Sequence, residues 1–312
     1  MLQADSIVQL AAGRYRLCER LAGSSYGIVW RAVRECNGES LALKFINADQ
    51  MARAAPGLRQ RWLDSAASEM RLLGSLAPWD ARHIVRMLDS GHHQGLPVLA
   101  LELLDGSLDQ EVAGEPVPLT RALGWLAQVN QALARIHQAG WCYLDLKPAN
   151  LLRYPDGSLR LTDFGTSRRI ADGPSVTYAG TPSWQAPEQF FPNPSGQYPC
   201  DIRSDYFALG LLLHHLVTGG RQLRYCAACA DAFKRHGSAG GAWLRARHAG
   251  AVPTTLHDDE AALVARLAGD SALRLLRALL APEPGRRPAS ALAISRMLAE
   301  AGAARYPLRR AA

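Results

Sequence analysis

No run of about eighteen apolar residues, the length a helix needs to cross a bilayer, occurs in this 312-residue chain. Its most apolar stretch, Tyr206 to Val217, is too short and contains His214 and His215. The N-terminus lacks a basic start followed by an apolar block, so no secretory signal is expected. Cysteine is sparse: six scattered residues do not make a disulfide framework and suit a reducing compartment. A cytoplasmic location is therefore expected, with delivery into a host cytoplasm as the alternative. Basic residues outnumber acidic ones, 35 to 28, for a net charge of +7. They are dispersed through Ala- and Leu-rich segments, without the aromatic-lined clusters of a nucleic-acid surface, so no nucleic-acid partner is expected. Internal repeats are missing as well. What remains is a chain with 48% apolar residues, long enough for one large domain or a two-lobed one with a substantial core.

The hydrophobic pattern changes character along the chain. Tyr15-Arg16-Leu17, Ile28-Val29-Trp30, Ser40 to Ile46, Ile84 to Leu88 and Pro97 to Leu103 read as strands. Leu58 to Leu76 has helical spacing through Trp62, Met70, Leu72, Leu73 and Leu76. The first third is thus expected to form a sheet of about five strands carrying one helix. Beyond Gly106 the pattern turns helical. Leu119 to Ala139 stops at Gly140, and Ser204 to Val217, Asp270 to Leu280 and Ala289 to Ala301 are further helices. Residues 1–13 read as an N-terminal extension, 14–103 as a β-rich lobe, 104–302 as a helical lobe and 303–312 as a tail. Gly237 to Gly241 reads as a loop inside a divergent, insertion-like segment at 221–269.

Two linked runs carry the chemistry. Asp145-Leu146-Lys147-Pro148-Ala149-Asn150 is followed, after an apolar stretch with Leu159 and Leu161, by Asp163-Phe164-Gly165. Together they offer two carboxylates and an amide, the hard oxygen donors that Mg²⁺ accepts alongside water and phosphate. Lys44, central in the apolar strand Leu41-Ala42-Leu43-Lys44, is costly to bury without a partner, and Glu69 on the following helix can supply one. Cys226-Ala227-Ala228-Cys229 has metal-ligand spacing. His236, His248 and His257 make no convincing second pair, so the cysteines read as thiols on a helix.

With these motifs in order over roughly residues 14–300, the chain resembles a eukaryotic-type (Hanks-type) serine/threonine protein kinase. The resemblance implies an α+β two-lobed protein-kinase fold, a small β-rich lobe with one helix and a larger, mainly helical lobe. Leu21, Ala22, Gly23, Ser24, Gly27 and Val29 align with the Gly-rich phosphate loop. Only Gly27 keeps a family glycine there, a departure that bears on ATP affinity more than on catalysis. Lys44 would hold phosphates, oriented by Glu69. Leu101 would be the gatekeeper, with backbone groups of Glu102 and Leu104 holding adenine between Leu21, Val29, Ala42 and Leu152. Asp145 would be the catalytic base, Lys147 would neutralise the transferred group, and Asn150 and Asp163 would take Mg²⁺, with Mn²⁺ an alternative. Thr181 would face the protein substrate, Glu188 and Arg287 would form a structural ion pair, and Asp205 would brace the catalytic loop. Leu144 stands where many members carry an Arg that pairs with a phosphorylated activation segment, so that switch is not expected. Ser167, Ser175, Thr177 and Tyr178 are the hydroxyls of that segment, and Gln189 is typical of bacterial members. The implied activity is transfer of the γ-phosphoryl group of ATP to protein hydroxyls. The alternatives are a pseudokinase serving as a nucleotide-binding scaffold and a phosphotransferase for a non-protein substrate. A regulatory partner, if any, would sit on 221–269.

Overall fold

The computed structural model describes residues 2–23, 27–76, 82–112 and 114–303. It divides into two compact units: residues up to Asp105 together with Thr162–Ser167, and Gly106–Leu161 together with the chain from Arg168 on. The Asp163-Phe164-Gly165 run therefore folds with the sheet, although its sequence neighbours on both sides belong to the helical unit. Ser24 and residues 304–312 of the expected tail lie outside the described residues.

In the first unit six strands pair antiparallel in the order β1-β2-β3-β4-β6-β5. They are β1 (Ile7–Leu10), β2 (Gly13–Gly23), β3 (Gly27–Arg34), β4 (Ser40–Ile46), β5 (Met87–His93) and β6 (Leu96–Glu102). Residues two apart share one face of a strand, which gathers Tyr15, Leu17, Leu41, Leu43, Phe45, Val98 and Ala100 into a core. The expected count of five strands is one short. The segment read as an N-terminal extension supplies β1 and buries Val8 and Leu10 in that core. Four residues are too few for the alternation to register in the sequence. The strand expected at Ile84 to Leu88 runs instead from Met87 to His93. Ile84 and Val85 are buried outside the ladder, whereas the paired residues include the polar run from Asp89 to His93. Asp89 earns its burial by accepting the Tyr15 hydroxyl and the Ala12 N–H, both at 2.8 Å.

The unit also carries two helices where one was expected. α1 (Ala48–Arg53) starts at Asn47, whose side chain accepts the Gln50 N–H, and α2 (Pro56–Ser75) opens on proline. Proline disfavours helical geometry in the residue before it, and extended Ala54 and Ala55 separate the two helices. Trp62, Ala66, Glu69, Leu72 and Leu73 form the buried stripe of α2. Glu69 is its one charged member.

The second unit contains α3 (Leu108–Glu111), α4 (Leu119–Gln138), β7 (Trp141–Cys142), β8 (Leu151–Arg153), β9 (Leu159–Leu161), β10 (Arg168–Arg169), α5 (Pro187–Phe190) and α6 (Ile202–Val217). It continues with α7 (Arg224–His236), α8 (Gly240–Arg247), α9 (Asp258–Ala268), α10 (Asp270–Leu279) and α11 (Ala291–Ala303). α6 is buried along nearly its whole length, with α4, α9 and α10 packed on it. At Gly210 a Cβ would come 2.8 Å from that of Leu279, so glycine permits the close approach of α10. Among the described residues no helix is long and apolar enough to cross a membrane.

The 221–269 segment, read as insertion-like, contains three helices, and Tyr225, Cys226, Cys229 and Val264 are buried in the unit. The loop expected at Gly237 to Gly241 is a 3₁₀ turn leading directly into α8. A Cβ at Gly240 would press on the backbone of Ala232, and one at Gly241 would fall 2.2 Å from the Phe190 carbonyl oxygen. These glycines serve close packing, which sequence cannot tell from loop flexibility.

Candidate active site

In the sheet unit, β4 and α2 bring a lysine and a glutamate together. Lys44 Nζ donates to both carboxylate oxygens of Glu69, each at 2.8 Å, and to Asp163 Oδ1 at 2.8 Å. Glu69 also accepts the Phe164 N–H at 3.1 Å, which ties the Asp-Phe-Gly run to the helix. Burial alone would push the Lys44 ammonium down, but Asp163 and Glu69 outweigh it and hold it above its ordinary value. Burial pushes the Glu69 carboxyl up, with Asp163 adding to the rise and Lys44 opposing it. The ion pair is thus a mutual requirement: either charge alone would be costly at this depth.

The Asp-Phe-Gly run has a local physical logic. Asp163 adopts φ 57°, an uncommon conformation for a side chain of any size, and its carboxylate is half exposed. Phe164 is fully buried. The Ser65 hydroxyl, one turn before Glu69 on α2, donates to the Gly165 carbonyl. A Cβ at residue 165 would lie 2.9 Å from that hydroxyl oxygen, so any larger residue would have to displace the Ser65 side chain from this bond.

On the β2–β3 hairpin, Ala22 pairs with Val29 and Gly23 with Ile28. A Cβ at Gly27 would come within 3.3 Å of the Phe45 carbonyl oxygen, whereas one at Gly23 would meet only the movable Arg20 side chain. The glycine that matches the family pattern is the one whose Cβ would crowd a backbone atom. Leu21 is exposed, and Ala42 and Leu101 are buried cross-strand partners on β4 and β6. The Glu102 N–H is spent on the Arg86 carbonyl, so a purine contact from Glu102 would have to come through its own carbonyl. Leu104 follows β6 in the same unit, and Leu152 belongs to the helical one.

In the helical unit, Asp145 is buried and its carboxylate is gripped by three side chains. Thr181 donates to Oδ1 at 2.7 Å, Lys147 to Oδ2 at 2.8 Å and Asn150 to Oδ2 at 3.2 Å. Lys147 also donates to the Thr181 hydroxyl at 2.7 Å, and Asn150 to the Asp145 backbone carbonyl at 2.9 Å. Acid, lysine and threonine therefore close a ring of hydrogen bonds.

The backbone beneath that ring is clamped from two sides. Asp205, on α6, accepts the N–H of Tyr143 at 2.9 Å and of Leu144 at 2.7 Å, and its Oδ2 lies 2.8 Å from His137 Nε2. Gln189, on α5, donates to the Leu144 carbonyl at 3.0 Å. Leu144 is buried with φ 70°, a strained conformation that these bonds enforce. Gly180 has φ 104°, and a Cβ there would come 3.0 Å from the Leu144 carbonyl oxygen, so the Thr181 loop can sit this close only with glycine. Glu188 and Arg287 form a bidentate buried pair at 2.6 and 2.8 Å, and Arg287 also donates to the carbonyls of Arg203, Ala281 and Pro282. Three anchoring residues escaped the sequence reading: Ser65, His137 and Gln185, which donates to the Ala179 carbonyl at 2.6 Å; Gln189 stood out there only as typical of bacterial members, not for this contact. Only Ser65 left a signal, its helical spacing from Glu69.

Asp163 in the sheet unit offers a carboxylate and Asn150 in the helical unit an amide, each an oxygen donor of the kind a divalent cation accepts. Among the described residues no group of three or more His, Cys, Asp or Glu side chains could hold a metal. Cys226 and Cys229 are buried one turn apart on α7, and no metal cluster includes them.

A mainly antiparallel sheet unit holding a lysine–carboxylate cluster and a helical unit holding a clamped aspartate define a phosphotransferase-like α+β class. The protein kinase domain family matches residues 15–298, and the chain belongs to that family. The chain is 29% identical, over 97% of its length and 34% of the relative's, to serine/threonine-protein kinase pkn2 of Myxococcus xanthus. It is 33% identical to serine/threonine-protein kinase PkaA of Streptomyces coelicolor, over 66% of this chain and 39% of that one. With serine/threonine-protein kinase PknL of Mycobacterium bovis it shares 28% identity over 72% of this chain and 54% of the relative. The chain thus spans about a third to a half of the length of these bacterial relatives. The family as a whole uses ATP with a divalent metal.

Proposed function

We propose that this chain is an active serine/threonine protein kinase domain that transfers the γ-phosphoryl group of MgATP to protein hydroxyls. The observation that supports it most is the closed ring of Asp145, Lys147 and Thr181. A buried carboxylate with a hydroxyl already at 2.7 Å is arranged to take a second hydroxyl in the same way. A substrate serine or threonine that displaced Thr181 from Oδ1 would present its oxygen as nucleophile, with Asp145 accepting the proton as the bond forms. Lys147 would move its donors from Thr181 to the transferring group, and Lys44, kept charged by Glu69, would fix the other phosphates. A bound divalent metal would neutralise phosphate charge, and Asp163 and Asn150 are the residues that would hold it. Leu144 makes the activity independent of an Arg–phosphate contact at that position. A regulatory partner would be sought on 221–269.

The test is transfer of labelled γ-phosphate to the protein itself and to a basic acceptor protein, with Asp145→Asn alongside. That variant removes the charge with little change in side-chain size and should lower transfer by about 10²–10⁴-fold while the protein remains folded by circular dichroism. Undiminished transfer by Asp145→Asn would refute the assignment. Nucleotide binding with no transfer by the unaltered chain would leave a scaffold in its place.

A further inference from the structure

We propose that the end of α7 and the length of α8 form a docking surface for an acidic segment of a partner protein. Basic residues that read as dispersed in the sequence are concentrated here by the fold. Residues 231–248 carry Lys234, Arg235, Arg245 and Arg247 against one carboxylate, Asp231, a net of +3 in a chain whose total is +7. No Asp or Glu occurs anywhere in residues 232–257. Arg245 donates to the Pro192 carbonyl at 3.0 Å and lies over the Phe191 ring, so residues 189–200 run beside α8, and they hold no acid either. Cations in the last turn of a helix offset its dipole, which accounts for one or two on each helix. It does not account for so long a stretch without an anion.

The surface is also held in shape. Gly240 packs against the backbone of Ala232 and brings α8 onto α7. Trp243, half-buried on α8, then fixes two of the basic side chains. The His236 ring stacks on it with centroids 4.5 Å apart, and the Arg247 guanidinium carbon lies 5.0 Å from the ring centre. Lys234, Arg235, His236, Arg247 and His248 are exposed. Arg235 pairs with Asp231 at 2.9 Å, whereas Lys234 and Arg247 make no hydrogen bond or ion pair among the described residues. Their charges face solvent, available to an anion from outside.

The chemistry selects among anionic partners. Single-stranded nucleic acid binds by stacking bases on aromatic faces. Here Trp243 is engaged by His236 and Arg247, and Phe233 by Tyr178. A membrane surface calls for an apolar anchor beside the cations. Among the described residues, the exposed large apolar side chains lie outside α7 and α8. A run of Asp or Glu needs neither feature, only cations within reach. The eight residues of α8 span about 12 Å, which an extended chain covers in about four residues. A run of about four to six acids is therefore the matching length.

The test is fluorescence anisotropy of a labelled peptide carrying a run of about six glutamates, titrated with the whole chain. Binding is read directly and does not depend on phosphoryl transfer. It should saturate and weaken as salt rises, since the Debye length falls from about 10 Å at 0.1 M to about 3 Å at 1 M. Lys234→Glu/Arg247→Glu should weaken it on the order of tenfold. Arg274→Glu/Arg277→Glu makes the same change in net charge at two exposed positions of α10 and should leave binding within about twofold. Equal losses in the two variants would overturn the proposal, because binding would then follow net charge alone. Absence of saturable binding at low salt would overturn it too. So would tighter binding of a labelled oligonucleotide or of phosphatidylserine vesicles with the same sensitivity to Lys234→Glu/Arg247→Glu. A second readout needs no variant: Lys234 is one of three lysines, with Lys44 and Lys147. The peptide should protect Lys234 from acetylation while leaving Lys44 and Lys147 as reactive as before, and an unprotected Lys234 would place the peptide elsewhere.

Discussion

The two units hold their reactive groups by different means. In the sheet unit Lys44, Glu69 and Asp163 are fixed chiefly by one another, through charges at 2.8 Å. In the helical unit the backbone carrying Asp145 is fixed by hydrogen bonds from side chains of other elements. Asp205 holds two N–H groups from below, and Gln189 holds the Leu144 carbonyl. A cluster of charges is strong only while it is complete, because each member was desolvated on the understanding that the others are present. A lattice of backbone hydrogen bonds loses its members one at a time, each worth about 1 kcal/mol or somewhat more with a charged partner. Local failure in the sheet unit should therefore be abrupt and pH-dependent, whereas the catalytic loop should fail gradually.

The largest expected effect breaks the charged side of this contrast. Lys44→Met leaves Glu69, 2% exposed, facing Asp163 with no cation between them. Breaking a buried pair in this way costs about 3–5 kcal/mol, so urea unfolding near neutral pH should show a loss of that size. The sign of the pH dependence follows from Glu69. Its folded-state pKa is already raised, and removing Lys44 raises it further, so the folded state binds the proton more tightly than the unfolded one. The loss should be greatest at neutral pH and shrink as acid protonates Glu69. Lys44→Met/Glu69→Gln should recover most of the stability. A cost below about 1 kcal/mol for the single variant would mean that the cluster resembles an exposed surface pair.

A second effect sharpens the contrast from the helical side, where the pH-sensitive group lies away from the catalytic loop. His214 on α6 is 3% exposed, its Nε2 has no hydrogen-bond partner, and burial pushes its pKa down to about 4. The unfolded chain binds a proton near pH 6.5 that the folded chain refuses until about pH 4. The stability is present above the unfolded value and is lost as pH falls through that window, by an amount on the order of 3 kcal/mol. His214→Leu should remove this acid limb in pH-dependent unfolding. Persistence of the limb would assign it to another group.

What was legible in the sequence follows the range of the interactions. Asp145, Asn150 and Asp163 stand in short contiguous runs because a loop and a turn position them, and Glu69 shows itself as a charge on an apolar stripe. Ser65, Gln189 and His137 act through main-chain atoms or carboxylates distant in sequence, and a polar residue that caps a carbonyl looks like any surface residue. β1 was hidden by its brevity, β5 by the polar residues of an edge strand whose pairing is carried by backbone. The aromatic packing of Tyr178 was invisible because its partners meet only once the helical unit has folded.

That packing yields the smallest effect and the narrowest test of how the activation segment is ordered without an Arg at residue 144. Tyr178 stacks on Phe233 of α7 with ring centroids 4.9 Å apart, and meets Phe190 and Tyr198 edge-on. Its hydroxyl donates to Gln185, which in turn donates to the Ala179 carbonyl at 2.6 Å. Apolar packing by the 221–269 helices thus supplies an order that salt does not screen, unlike a pairing of phosphate with guanidinium. Phe233→Ala should cost about 1 kcal/mol through the lost ring pair. It should also speed amide hydrogen exchange from Thr177 to Thr181 on the order of fivefold, leaving the amides of Tyr143 to Asp145 unchanged, since those depend on Asp205. Equal acceleration at both sites would show that the segment and the loop open as one unit. No acceleration at either would show that Gln185 and the Gly180 contact hold the segment without the ring. Faster exchange in the segment alone would make α7 the element that orders it.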